Sequence, residues 1–205
     1  MLVIGLTGSI GMGKSAVAAR LRALGIAVCD ADAEVHKLYE GAAVPAIEAA
    51  FPGTTAAGKV DRQKLAAALL AAPDKFKRLE AIVHPLVFAA ERAFLRGEAA
   101  KGAAMAVIEV PLLLETGGES RVDVVIVVTA PPEAQRQRVM QRPGMTLEKL
   151  EQMLTRQMSD ADKRARADFV VDTSGSVENC NSQIDLIITK LMPLSATAYD
   201  RYWRA

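Results

Sequence analysis

After Met1 the chain runs LVIGLT, apolar or small at every position, and then enters a glycine-rich stretch. A short unbroken apolar run of this kind predicts a strand buried on both faces over Leu2–Thr7. The period then changes. Across Lys14–Leu24 the residues Val17, Leu21 and Leu24 fall on one helical face, and Gly25 supplies a stop. Ile26–Cys29 is again an apolar strand pattern. Strand, helix and strand within roughly 30 residues predict a βαβ unit and a parallel sheet.

Asp32–Tyr39 begins another helix, and the chain from there to Lys101 is alanine-rich and helical in pattern. Asp61 is placed to cap a helix through Leu70, Pro73 interrupts, and helices resume over Asp74–Ile82 and Pro85–Gly97. The residue before a proline favours extended backbone, so His84 is expected at the entrance of the second of these helices. Strand patterns return at Ala104–Val110 and Val122–Thr129. Pro131–Gln141 predicts a helix, Pro143-Gly144 a turn, and Thr146 the cap of a helix to about Met158. Asp168–Asp172 is a last strand and Val177–Leu191 a last helix. The aromatic tail, with Tyr199, Tyr202 and Trp203, is not assigned by pattern.

The sequence has 205 residues and a net charge of +1. That balance gives no electrostatic case for general nucleic-acid or membrane binding, so recognition by charge must be local. Its two cysteines, Cys29 and Cys180, form no metal-ligand or CxxC spacing, and the reading is a reduced, cytoplasmic protein. No run of about 20 apolar residues is present to span a bilayer.

Gly8-Ser9-Ile10-Gly11-Met12-Gly13-Lys14-Ser15 fits G-x-x-x-x-G-K-[ST]. Glycines let successive amides turn inward around an anion, and the helix starting near Lys14 adds its positive end. In this motif Lys14 reaches the β- and γ-phosphates of a nucleotide and the Ser15 hydroxyl ligates Mg²⁺. A dinucleotide fingerprint also lies between strand and helix and wants an acid about 20 residues on, where Asp30 stands. However, the glycines follow G-x-x-G-x-G and Lys14-Ser15 would have no task.

The pattern of a switch GTPase is incomplete, because DTSG falls late, at Asp172–Gly175, and no NKxD follows. Neither middle strand ends in the acidic pair of a motor ATPase. A small-molecule kinase remains. Asp30 and Asp32 close the second strand, whose carboxyl end opens on the loop's crevice. One carboxylate can take the proton of an attacking hydroxyl while the other orients it or a metal-bound water; alternatively Asp32 caps the helix that follows. Arg138 and Arg142 are four apart on one helix face, and Arg142 precedes the Pro143-Gly144 turn, as suits a lid that closes on transferring phosphate. A solvated helix face is the plainer reading of the same arginines. His36 reads as a surface residue.

GLTGSIGMGKS, the DAD at Asp30–Asp32, VHPLV at Val83–Val87, VPLLLE at Val110–Glu115, PEAQRQRVMQR and ADFVVDTSG, in this order, resemble the dephospho-CoA kinase family nearly end to end. The resemblance implies phosphorylation of the ribose 3′-hydroxyl of dephospho-CoA by ATP with Mg²⁺. It implies Asp32 as general base, Arg142 as lid arginine, Gly11–Ala16 as the ATP phosphate site and the DTSG turn at Asp172–Gly175, through Asp172 and Ser174, beside adenine. His84 and the Pro111-Leu112 to Glu115 stretch are implied near the acceptor, although the apolar run equally suits a core. Two departures stand out: Ala16 replaces a frequent threonine, and Pro143 replaces a frequent acid after the lid arginine.

The expected architecture is a P-loop NTPase-type α/β fold in one domain. About 1–31, 103–130 and 166–192 form the nucleotide core, about 32–102 the helical acceptor region and about 131–165 the lid. A monomer or small homo-oligomer is expected, with no nucleic-acid partner. A kinase for another small metabolite, such as a nucleoside monophosphate, and a non-catalytic nucleotide sensor are the alternatives.

Overall fold

The computed structural model describes the backbone of all 205 residues and every side chain except those of Ala71 and Pro73. In chain order the elements are β1 (Leu2–Thr7), α1 (Lys14–Ala23), β2 (Ala27–Asp30), α2 (Ala31–Tyr39), α3 (Val44–Ala50), β3 (Thr55–Ala56), β4 (Lys59–Val60), α4 (Arg62–Ala71), α5 (Phe76–Ala100), β5 (Met105–Glu109), β6 (Val124–Thr129), α6 (Pro132–Met140), α7 (Leu147–Leu154), α8 (Asp160–Ala165), β7 (Phe169–Asp172) and α9 (Val177–Leu191). Short 3₁₀ turns lie at Pro73–Lys75 and Gly118–Arg121, and a π turn at Tyr199–Trp203.

Among the described residues a five-stranded sheet runs in the order β2-β5-β1-β6-β7. β1 pairs in parallel with β5, Leu2 opposite Met105, and with β6, Ile4 opposite Val124. β6 pairs in parallel with β7. The reason is in the residues: β1 is buried at every position, as are all five of β5, and only helices on both faces can cover such strands. β2 therefore lies one strand away from β1, with β5 between.

The chain divides into two compact units, Met1–Cys29 with Leu95–Ala205, and Asp30–Phe94. In the first, one core joins Leu2, Ile4 and Leu6 of β1 to Val17 and Leu21 of α1, Val124 and Ile126 of β6, and Ile184, Ile187 and Leu191 of α9. Each such aliphatic side chain contributes about 1.5–3 kcal/mol on full burial. Leu24, expected on the α1 core face, is instead exposed beyond the helix end. The tail is docked: Trp203 is fully buried and its Nε1 donates to the Arg121 carbonyl at 2.7 Å. Asp123 ties three parts of this unit, accepting from Val3 N at 2.8 Å, Thr197 N at 2.7 Å and Ala198 N at 2.8 Å.

The second unit has its own core of Ala43, Ile47, Phe51, Val60, Leu65, Leu69 and Val83. Asp61 caps α4 as expected, accepting from the amides of Gln63 and Lys64. Three expectations need correction. His84 is not extended at a helix entrance: α5 is continuous from Phe76 and holds Pro85 inside it. Pro85 removes one backbone donor, but Val83, Leu86 and Val87 on either side are all drawn into the core cluster, and that burial outweighs the local preference. The helix capped by Thr146 stops at Leu154, and a separate α8 follows with Ser159 as its cap. Lastly, the β3–β4 hairpin lies in a stretch expected to be mostly helical, and no strand was expected there.

Candidate active site

Thr7 ends β1 and Lys14 begins α1; the six residues between form a loop that reverses direction without a side-chain cap. Gly11 and Gly13 take φ of 77° and 93°, left-handed values that cost little only for glycine. Space requires glycine as well. A Cβ on Gly11 would stand 2.5 Å from Val139 Cγ2, and one on Gly13 would stand 2.9 Å from Thr173 Oγ1.

The loop's carbonyls are held from outside. The Gln135 amide donates to Ile10 O at 2.7 Å, the Thr173 hydroxyl to Met12 O at 2.7 Å, and Lys14 Nζ to Gly8 O at 2.8 Å. Arg138 Nη1 lies 3.5 Å from Gly11 O. In a planar trans peptide the carbonyl and the next residue's N–H point in opposite directions. Fixing Ile10 O and Met12 O outward thus turns the amides of Gly11 and Gly13 inward. With the positive end of α1 beneath them, they form a cradle for an anion. Ile10 N donates to Gln157 Oε1 at 3.2 Å, and Ala130 N to Met12 Sδ at 3.2 Å. Ser15 and Ala16 are exposed in the first turn of α1, so the Ser15 hydroxyl is available at the cradle's edge.

Arg138, on α6, grips the turn after β7. Its Nη1 donates to Thr173 Oγ1 at 2.9 Å and its Nη2 to Thr173 O at 2.6 Å. The same turn is shaped by Asp172, whose carboxylate accepts from Ser174 N at 2.8 Å. Burial pushes the nearby Cys180 thiol up; the Arg138 charge pulls against this and Asp172 adds to it. Arg142 follows α6 in an exposed turn that Met145 N closes on the Arg142 carbonyl. Its guanidinium makes no hydrogen bond or ion pair among the described residues.

The stretch after β5 is anchored rather than loose. Pro111 O accepts from the Thr7 hydroxyl at 3.1 Å and from Lys163 Nζ at 3.1 Å. Glu115 pairs with Lys163 at 2.8 Å and accepts from Met158 N at 2.8 Å. The Lys163 side chain is fully buried. Leu113 and Leu114 enter the core, whereas Leu112 stays 38% exposed.

Asp30, Asp32 and His84 belong to the Asp30–Phe94 unit. Asp30, not Asp32, caps α2: its Oδ1 accepts from the amides of Asp32 and Ala33 at 2.9 and 3.1 Å. Asp32 is exposed in the first helical turn, and its carbonyl oxygen lies 2.7 Å from His36 Nδ1. The other ring nitrogen of His36 meets Arg62. His84 is exposed on α5.

Sequence reasoning missed Gln135, Gln157, Lys163 and Thr173. Gln135 stands three residues before Arg138, hence on the same helix face, and Thr173 lies inside the DTSG motif, so both had a local signal. Gln157 and Lys163 act at long range and had none.

Comparison with known proteins identifies relatives along nearly the whole chain. The sequence profile described as dephospho-CoA kinase matches residues 2–179. A dephospho-CoA kinase of Rhodopseudomonas palustris is 58% identical over 188 residues, covering 92% of this chain and 94% of the relative. A crystal structure of a Thermus thermophilus protein superposes with a TM-score of 0.80 at 36% identity, covering 93% of this chain and 97% of that one. A dephospho-CoA kinase from Campylobacter jejuni superposes with a TM-score of 0.70 at 26% identity, covering 93% and 96%. A match along nearly the whole chain leads to one assignment: the chain belongs to the dephospho-CoA kinase family.

Proposed function

We propose that the protein transfers the γ-phosphate of ATP to the ribose 3′-hydroxyl of dephospho-CoA, giving coenzyme A and ADP. The observation that carries this reading is the built cradle at Gly8–Ser15 within a chain of this family. The inward amides of Gly11 and Gly13 and the Lys14 ammonium hold the ATP phosphates, with Met12, Ser15 and Ala16 completing the loop. Arg138 stands fixed beside the loop and Arg142 closes from the lid, so positive charge surrounds the phosphoryl group as it moves. The Asp172–Ser174 turn lies on the adenine side.

Mg²⁺ fits the residues present. Among the described residues no group of three or more His, Cys, Asp or Glu side chains converges on one point. The ion would therefore take phosphate oxygens, water and the Ser15 hydroxyl, as Mg²⁺ prefers. When bound it neutralises charge on the β- and γ-phosphate oxygens.

Asp32 receives the proton of the attacking 3′-hydroxyl. Asp30 already supplies the helix cap, so capping does not account for Asp32. Asp30 holds that turn, while His84, Pro111, Leu112 and Glu115 serve the acceptor side. The test is coupled ADP release with ATP·Mg²⁺ and a panel of dephospho-CoA, adenosine, AMP, CMP and shikimate. ADP and coenzyme A appear in equal amounts with dephospho-CoA alone. Asp32→Asn lowers kcat by about 10²-fold or more while ATP binding is unchanged. No ADP with any acceptor sinks the reading.

A further inference from the structure

Thr173 sits between two residues assigned to the adenine side, yet its side chain serves the phosphate loop. The residue is 7% exposed. Its hydroxyl has one proton, and of the two carbonyls in reach Met12 O at 2.7 Å is a shorter acceptor than Thr129 O at 3.3 Å; the oxygen's lone pairs are then open to Arg138 Nη1 at 2.9 Å. The Thr173 carbonyl takes the second guanidinium prong at 2.6 Å, and Thr173 N is itself fixed on Thr129 O at 2.9 Å. Arg138 makes no ion pair with a carboxylate among the described residues. Its charge is held in place by a neutral residue and is not cancelled.

We propose that Thr173 is a positioning residue for ATP. Through one hydroxyl it sets the Met12–Gly13 peptide, so that the Gly13 amide faces the phosphates, and it aims the Arg138 charge at the same anion. This rests on the reading of the loop as the ATP phosphate site. The role separates the two substrates: the nucleotide depends on it and the acceptor does not.

Thr173→Val keeps the shape and removes the hydroxyl; Thr173→Ser keeps the hydroxyl and removes the methyl. Calorimetry with a non-hydrolysable ATP analogue and Mg²⁺, together with steady-state kinetics, tests the pair. In Thr173→Val, affinity for the analogue falls about tenfold and KM for ATP rises in proportion, as expected for one lost hydrogen bond to a charged group. KM for dephospho-CoA stays the same. Thr173→Ser returns both nucleotide values to within about twofold of wild type, since only the methyl differs. Thr173→Ala reads the same hydroxyl if the valine chain does not fold. Unchanged analogue affinity, a serine variant as weak as valine, or equal rises in both KM values would overturn the proposal. Wild-type protein that binds the analogue but does not phosphorylate dephospho-CoA would refute the acceptor alone, and the calorimetric comparison would still decide Thr173.

Discussion

A single carboxylate shows how local chemistry sets pH response. Glu48 closes the turn after α3: Oε1 accepts from Gly53 N at 2.8 Å, and Oε2 from the Thr55 amide at 3.1 Å and hydroxyl at 2.6 Å. The Gly53 amide, then the Thr55 hydroxyl, hold its carboxyl below the usual carboxylate range. A depressed folded-state pKa means the contribution is full above the unfolded value, about 4.3, and is lost as pH falls through the folded value. In Glu48→Gln the side-chain NH₂ meets donors instead of accepting from them. The variant therefore melts below wild type at pH 7, and the gap closes as pH falls below about 4. Melting temperature measured against pH checks this; a gap that persists in acid would contradict it. At this scale the turn built by Gly11 and Gly13 was legible, because its backbone geometry depends on neighbours in sequence. Asp32 was not legible as a non-capping residue, because Asp30 and Asp32 both stand where a cap can.

At the scale of elements, strands and long helices were legible and the breaks between them were not. Val177–Leu191 came out as expected, since an amphipathic run with a serine cap leaves little choice. Pro85 misled because the rule for the residue before proline describes the backbone alone, whereas α5 is held by side chains in the core. The Lys163–Glu115 pair is another element-level device. It fastens the turn after β5 to α8 across 48 residues, with Pro111 O as a second acceptor. Lys163→Met leaves the Glu115 carboxylate without its cation and costs about 3–5 kcal/mol in urea unfolding. Adding Glu115→Leu loses less than the two single changes summed, since the partners act as one unit. Strict additivity would show that the pair is not coupled.

For the whole molecule, the sheet class followed from strand pattern, but strand order did not, and neither did the fate of the tail. No periodicity in Ala196–Ala205 says that Trp203 is buried or that Asp123 receives Thr197 and Ala198. Those contacts join residues 74 to 82 apart, which local pattern cannot see. Trp203→Ala removes a fully buried indole and leaves the Arg121 carbonyl without its donor. It lowers stability by about 3–5 kcal/mol, and melting falls by about 2–4 °C for each kcal/mol in a chain of this size. Calorimetric melting reads this directly; a shift of under a degree would show that the tail is dispensable.

The place of β1 in the sheet also has a consequence during synthesis. The strand that leads into the glycine-rich loop is translated well before its partners, which begin at Met105 and Val124. At about 5–20 residues per second, the ribosome needs roughly 5–20 s to supply the first of them. Through that interval LVIGLT is an unpaired apolar segment on the nascent chain, while Asp30–Phe94 emerges with a core of its own. Folding in the cell is thus expected to run out of sequence order, with the Asp30–Phe94 unit compacting before β1 is covered.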